Sequence, residues 1–132
     1  MNLLDENVIQ EQRQLLQSWR ISVHQIGYDI GRVGTQDEAI IPILHGLRRV
    51  TFFTMDADFY KPRLCHARYC IAYLAVEEDE AAVFTRRFLR HKAFDTEAKR
   101  MGVVAQVSHV GLVVWRLHDE KPIDLAWDKA RR

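Results

Sequence analysis

Cysteine is scarce in this chain of 132 residues, which has only Cys65 and Cys70. Two thiols cannot make a disulfide framework, and their spacing does not match that of a zinc knuckle. Cys70 falls in an apolar run, where a buried thiol is the ordinary finding, and His66 beside Cys65 adds only one further metal-type ligand. Long apolar runs are missing as well. The longest, Tyr69 to Val76, has eight residues, against roughly 20 for a bilayer-spanning helix, so no membrane partner is expected. The opening residues also lack the charged, apolar and small-residue order of a cleaved secretory leader, which makes a soluble, cytoplasmic protein the expectation. Repeats, low-complexity stretches and internal linkers are absent. Hydrophobic residues at 48% and charged residues at 28% exclude disorder and a fibrous repeat. A chain of this length suits one domain with its own core.

The net charge of +1 is uninformative until it is divided along the chain. Residues 1–59 carry eight acids and five bases, a net of −3, whereas residues 60–100 carry nine bases and six acids, a net of +3. Fourteen of the nineteen bases are arginine, the side chain suited to bidentate phosphate contact. Arg63, Arg68, Arg86, Arg87 and Arg90 are therefore candidates for holding nucleic-acid phosphates, set against the plainer reading of a solvated helix face.

Asn2-Leu3-Leu4 reads as a short strand ending at Asp5-Glu6-Asn7, with Asn7 placed to cap a first helix. Ile21 to Ile26 alternates as a second strand, and Gly27 to Gly34 is a glycine loop. Thr35 and Glu38 fit a capping box for a second helix with Ile40, Ile43, Leu44 and Leu47 inward and Pro42 as a kink. Val50–Thr54 and Cys70–Val76 read as strands separated by an irregular stretch. An acidic run, Glu77 to Glu80, opens a third helix that turns Phe84 and Phe88 inward. A short helix over 95–101 precedes a closing hairpin, Val103–Val107 and Gly111–Leu117, with His109 at its turn. The remainder, 119–132, reads as a charged, mobile tail in which Trp127 is the one residue able to anchor it. Alternation of this kind predicts an α/β layered domain with a mainly parallel sheet.

In such a fold the carboxyl ends of the strands and the amino ends of the following helices share one edge. Asp5 and Glu6 follow the first strand, Asp56 and Asp58 follow the third, and Asp37 and Glu38 open the second helix. Taken singly, these acids are ordinary caps and turn residues. Gathered together, they repel and raise one another's pKa unless a cation joins them. Oxygen-only ligands are what Mg2+ or Mn2+ requires.

Three runs at ordered spacings, Leu3-Leu4-Asp5-Glu6-Asn7, Gln36-Asp37-Glu38-Ala39-Ile40 and Thr54-Met55-Asp56-Ala57-Asp58-Phe59, resemble the compact PIN-like family of small bacterial proteins. The resemblance covers roughly residues 2–117. It implies a three-layer PIN-like α/β/α sandwich over residues 1–118, followed by the charged tail. It further implies that Asp5, Asp37, Asp56 and Asp58 hold Mg2+ or Mn2+ for phosphodiester hydrolysis, supported by Glu6, Asn7, Glu38 and Thr54. An RNA substrate, a small antitoxin protein and a homodimer are the partners it suggests, since many relatives are suspected toxins of toxin–antitoxin pairs.

Other readings start from the same residues. Phe52–Asp58 resembles the Asp-x-Asp strand end of haloacid-dehalogenase-like phosphatases, but Tyr60 stands where those enzymes want threonine. A phosphoacceptor module would need a lysine after a later strand, where this chain has Ala75-Val76-Glu77. A metal-binding PIN-like scaffold with weak or lost activity would carry the same acids. The six histidines are scattered, and only His24 falls near the acidic edge. Serine-nucleophile, phosphate-loop and dinucleotide-binding motifs are all missing.

Overall fold

A computed structural model describes residues 1–127. Seven strands form one sheet: β1 (Asn2–Leu4), β2 (His24–Gln25), β3 (Val50–Thr54), β4 (Tyr69–Leu74), β5 (Val103–Ser108), β6 (Gly111–Arg116) and β7 (Ile123–Leu125). The helices are α1 (Gln10–Ser18), α2 (Asp37–Gly46), α3 (Ala81–Arg90) and α4 (Glu97–Arg100). The spatial order is β2-β1-β3-β4-β5-β6-β7. The first five strands in that order are mutually parallel, while β6 and β7 are antiparallel to their neighbours. The expected mixed α/β class, the largely parallel sheet and the closing hairpin are all present.

Period-two side-chain alternation divides the core between the two faces. Leu4, Phe53 and Ala72 pack on one face with Leu16 of α1 and with Ala82, Phe84 and Phe88 of α3. Leu3, Phe52, Ile71 and Val104 pack on the other face with Ile40 and Leu44 of α2. Adjacent phenylalanines on β3 thus serve opposite layers. Both are fully buried, each worth about 1.5–3 kcal/mol of transfer free energy.

Several local expectations are corrected. Asn7 does not cap α1, whose N-cap is Ile9; its side-chain oxygen accepts from the Met55 N–H at 3.2 Å instead. Thr35 forms no capping box with Glu38, because the cap position is Gln36 and the Thr35 hydroxyl is engaged with the Arg32 backbone. Its hydroxyl finds a nearer partner inside the glycine loop. The reciprocal cap instead occurs at the acidic run, where the Glu77 N–H donates to Glu80 Oε1 at 3.0 Å. α2 continues through Pro42, which lies on an exposed position. The second strand is only two residues long, since only Leu3 and Leu4 of the short β1 pair with it.

The segment after residue 118 is more than a charged tail. Ile123–Leu125 pairs antiparallel with Leu112–Val114, and the Trp127 indole N–H donates to the Ser108 carbonyl at 2.7 Å. The expectation of a mobile tail is thus corrected for residues 123–127: Trp127 anchors the segment, and a strand forms that charge content alone had hidden. Residues 128–132 of that tail lie outside the described residues.

Candidate metal centre

The order β2-β1-β3-β4-β5 reverses direction between β1 and β3. β1 leads to α1 on one face, whereas α2 crosses the other face to reach β3. A crevice opens at such a switch point, outside the carboxyl ends of the strands. Asp5 follows β1 there, Asp56 and Asp58 follow β3, and Asp37 is the first residue of α2.

Carboxylate oxygens of Asp37, Asp56 and Asp58 lie within 4.8 Å of one another. Local hydrogen bonding sets this arrangement. The Asp58 N–H donates to Asp56 Oδ1 at 2.9 Å, which turns the chain into a short 3-10 segment, Ala57–Phe59. Phe59 fixes that segment by packing edge-on against Phe52, with ring centroids 5.4 Å apart. Asp58 is thereby brought beside Asp56 while its side chain stays exposed.

Asp5 stands behind this group rather than in it. It is buried; Oδ2 accepts from the Thr54 hydroxyl at 2.7 Å and Oδ1 from the Glu6 N–H at 2.8 Å. The Thr54 oxygen also accepts from the Asp56 N–H at 3.0 Å, so one hydroxyl links the ends of β1 and β3. Glu6 points to the glycine loop, where it accepts from the Gly34 N–H at 2.8 Å. A side chain at Gly27 would place its Cβ 3.0 Å from Glu6 Oε2, and Gly27 has φ +87°, so this close approach depends on glycine. Glu38 is exposed one residue along α2 and does not join the cluster.

The electrostatics follow from this crowding. Burial pushes the Asp5 carboxyl above its ordinary range, with Thr54 and the Glu6 N–H opposing and the Asp56 charge adding. Asp37 is also raised, first by desolvation and then by the Asp56 charge and a hydrogen bond with that carboxyl; Asp5 and Asp58 add to it. No cation pairs with these four acids among the described residues. The donor set is all oxygen, drawn from two separated segments, and the Asp56 and Asp58 charges disfavour ionisation of Asp37. Those properties suit a hard divalent cation.

The arginine candidates lie elsewhere. α3 leaves the acidic edge and runs back toward the start of β5, which carries Arg90 away from that edge, while Arg87 stays by Trp127 near the end of β5, two strands along from β3. The Arg86 guanidinium lies 3.7 Å from the Trp19 ring centroid, and that of Arg87 lies 4.2 Å from the Trp127 centroid. Arg68 immediately precedes β4, at the opposite edge, and Arg63 is exposed on a 3-10 turn, Pro62–Leu64. Sequence spacing put these bases on helices and loops but could not show which sheet edge each one reached.

Three residues at the acidic edge escaped the sequence reading. Gln25, fully buried, donates through Nε2 to the carbonyls of Asp5 at 3.0 Å and Val8 at 2.7 Å. It thereby fastens the β1–α1 turn to β2. Arg13 donates to Gln25 Oε1 at 3.2 Å and lies 3.8 Å from the centroid of the Tyr28 ring. The available signal was a glutamine in the apolar phase of an alternating run, at the position that follows Ile21 and Val23. Beyond Met55 the same edge continues into a cavity of about 330 Å³ lined in part by Tyr73, Glu77, Glu80 and His109. Among the described residues, Cys65 and His66 belong to no metal-type cluster.

Comparisons with protein-family models, with curated proteins and with solved structures find no match.

Proposed function

We propose that this chain is a PIN-like, divalent-metal-dependent ribonuclease. The observation that carries the reading is the meeting of Asp37, Asp56 and Asp58 within 4.8 Å at the β1/β3 switch point, with buried Asp5 behind them. Asp37, Asp56 and Asp58 would hold Mg2+ or Mn2+, with Asp5 adding negative charge from below. When bound, such an ion polarises a phosphoryl oxygen and lowers the pKa of water, so no nucleophilic serine or cysteine is required. Thr54 keeps Asp5 and the Asp56 backbone in register, and Glu6 holds the glycine loop beside the site. The PIN-like sandwich, the toxin role, a small antitoxin partner, a homodimer and a cytoplasmic location belong to the same proposal and rest on the three sequence runs.

The phosphatase alternative gains nothing from Tyr60, whose hydroxyl donates to the Val113 carbonyl at 3.3 Å. The test is cleavage of mixed RNA in magnesium, manganese or EDTA, with Asp56→Asn assayed beside the wild type. Cleavage should require metal and fall about a thousandfold or more in the variant, since lost charge stabilisation is worth several kcal/mol. A folded wild type that cuts no RNA in either metal favours the scaffold alternative.

A further inference from the structure

The arginines expected to hold phosphate lie away from the aspartates, yet a different arginine lies on the β1–α1 side of the acidic edge. Arg13 is the fourth residue of α1, the helix that follows the Asp5 turn. It is half-buried and has no carboxylate partner among the described residues. What holds it is neutral: Gln25 Oε1 takes one N–H at 3.2 Å, and the guanidinium carbon lies over the Tyr28 ring, 3.8 Å from its centroid. A guanidinium has five N–H donors in a planar fork, so most of them remain free for an anion.

Tyr28 completes the arrangement. It is 58% exposed, unusual for a large aromatic side chain, and Arg13 covers only one part of it. Its position is fixed rather than loose. Gly27 before it takes φ +87°, and the loop it opens is tied at its other end by the Gly34 N–H to the carboxylate of Glu6, the neighbour of Asp5. The Tyr28 N–H also donates to the Gln25 carbonyl at 3.1 Å. Gln25 therefore positions Arg13 with its side chain and Tyr28 with its backbone, while its amide holds the Asp5 turn.

From this geometry we infer that Arg13 and Tyr28 form a binding platform for one unpaired nucleotide, the base stacking on the open part of the Tyr28 ring and a phosphate taking the free Arg13 donors. Stacking on an aromatic side chain together with a nearby cation is how single strands are held without reading their sequence, whereas a base inside a duplex has no face to offer. The platform names a single-stranded substrate class and deepens the ribonuclease reading. It rests on the nucleic-acid part of that reading but not on cleavage.

The test is fluorescence anisotropy of a labelled single-stranded RNA oligonucleotide, its DNA counterpart and the corresponding RNA duplex, in calcium, using the full chain. Tyr28→Ala should weaken binding to either single strand about tenfold, whereas Tyr28→Phe, which keeps the stacking face, should bind within about twofold of the wild type. Arg13→Gln should reduce the slope of log affinity against log salt by about 0.7, the contribution of one phosphate contact on a single strand. Duplex RNA should bind more weakly than the single strands. Unchanged binding in both Tyr28→Ala and Arg13→Gln overturns the platform, as does equal loss in Tyr28→Ala and Tyr28→Phe, or a wild type that binds no single strand. These outcomes are separable from failure of the ribonuclease reading: binding that depends on Tyr28 in a protein that cuts nothing keeps the platform and removes the nuclease.

Discussion

The two edges of the parallel sheet handle charge in opposite ways. At the edge where the parallel strands begin, the acids Glu97 and Asp95 are each answered by a cation. The N-terminal ammonium pairs with Glu97, and Lys99 pairs with Asp95 at 2.7 Å. Buried Arg100 donates to the Thr51 hydroxyl at 2.9 Å and the Phe94 carbonyl at 2.7 Å. The N-terminal ammonium holds the Glu97 carboxyl below its usual range, and Lys99 does the same for Asp95. At the edge where the strands end, Asp5 and Asp37 are raised instead, and no cation answers them among the described residues. The acids of one edge are answered from within the chain. Those of the other are left to be answered from outside, which stability alone would not favour.

The largest expected effect lies at the edge where the strands begin. Arg100→Ala removes the partner of a fully buried threonine hydroxyl and of a buried carbonyl. It should cost about 3 kcal/mol in chemical denaturation, since hydrogen bonds to a charged donor are lost and buried acceptors are orphaned. A cost below about 1 kcal/mol would mean that this edge is not held together by its charges, and the comparison would lose one side.

The next effect sharpens the other edge. Millimolar manganese should raise the melting temperature by several degrees, because a ligand at about 100 times its Kd adds roughly 2.7 kcal/mol by mass action. Asp56→Asn should abolish the rise. An equal rise in the variant would place the binding elsewhere in the chain.

The smallest effect concerns protons. Asp5 and Asp37 have folded-state pKa values above their unfolded ones, so the folded state holds extra protons. Their contribution to stability is most favourable below the ordinary carboxylate pKa of 3.8 and declines as pH rises through the elevated values. Asp95 and Glu97 are depressed and act in reverse, their stabilisation being lost as pH falls through the folded values. Asp37→Asn should therefore raise the neutral-pH melting temperature slightly in EDTA and leave that at pH 3 unchanged. A fall at neutral pH would show that the Asp37 charge is compensated within the chain.

Much of the layout was legible because it depends on short-range pattern. The apolar runs of β3 and β4, the inward spacing of Ile40 and Leu44 and the closing hairpin all show in periodicity. Asp5, Asp37 and Asp56 were legible as one edge because strand-then-helix alternation dictates which ends meet. Caps were less legible, since Thr35 and Asn7 had competing partners that only the folded chain supplies. β7 was hidden because Asp124 interrupts its two apolar residues, and a three-residue strand beside an existing hairpin has almost no pattern of its own. Arginine positions were least legible. Helix direction decides which edge they reach, and Trp19 and Trp127 claim Arg86 and Arg87 through contacts distant in sequence.

Gln25 gives the acidic edge one further property. The groups that set its frame are a carboxamide and a threonine hydroxyl, Gln25 across the Asp5 turn and Thr54 between the ends of β1 and β3. Neither gains or loses a proton between acid and alkali. The carboxylates mounted on that frame change charge with pH, but the brackets that hold them do not. The Gln25 link ends on main-chain carbonyls and is indifferent to pH, whereas the Thr54 link ends on the Asp5 carboxylate, so a proton taken up by Asp5 is felt between β1 and β3 and not between β1 and β2.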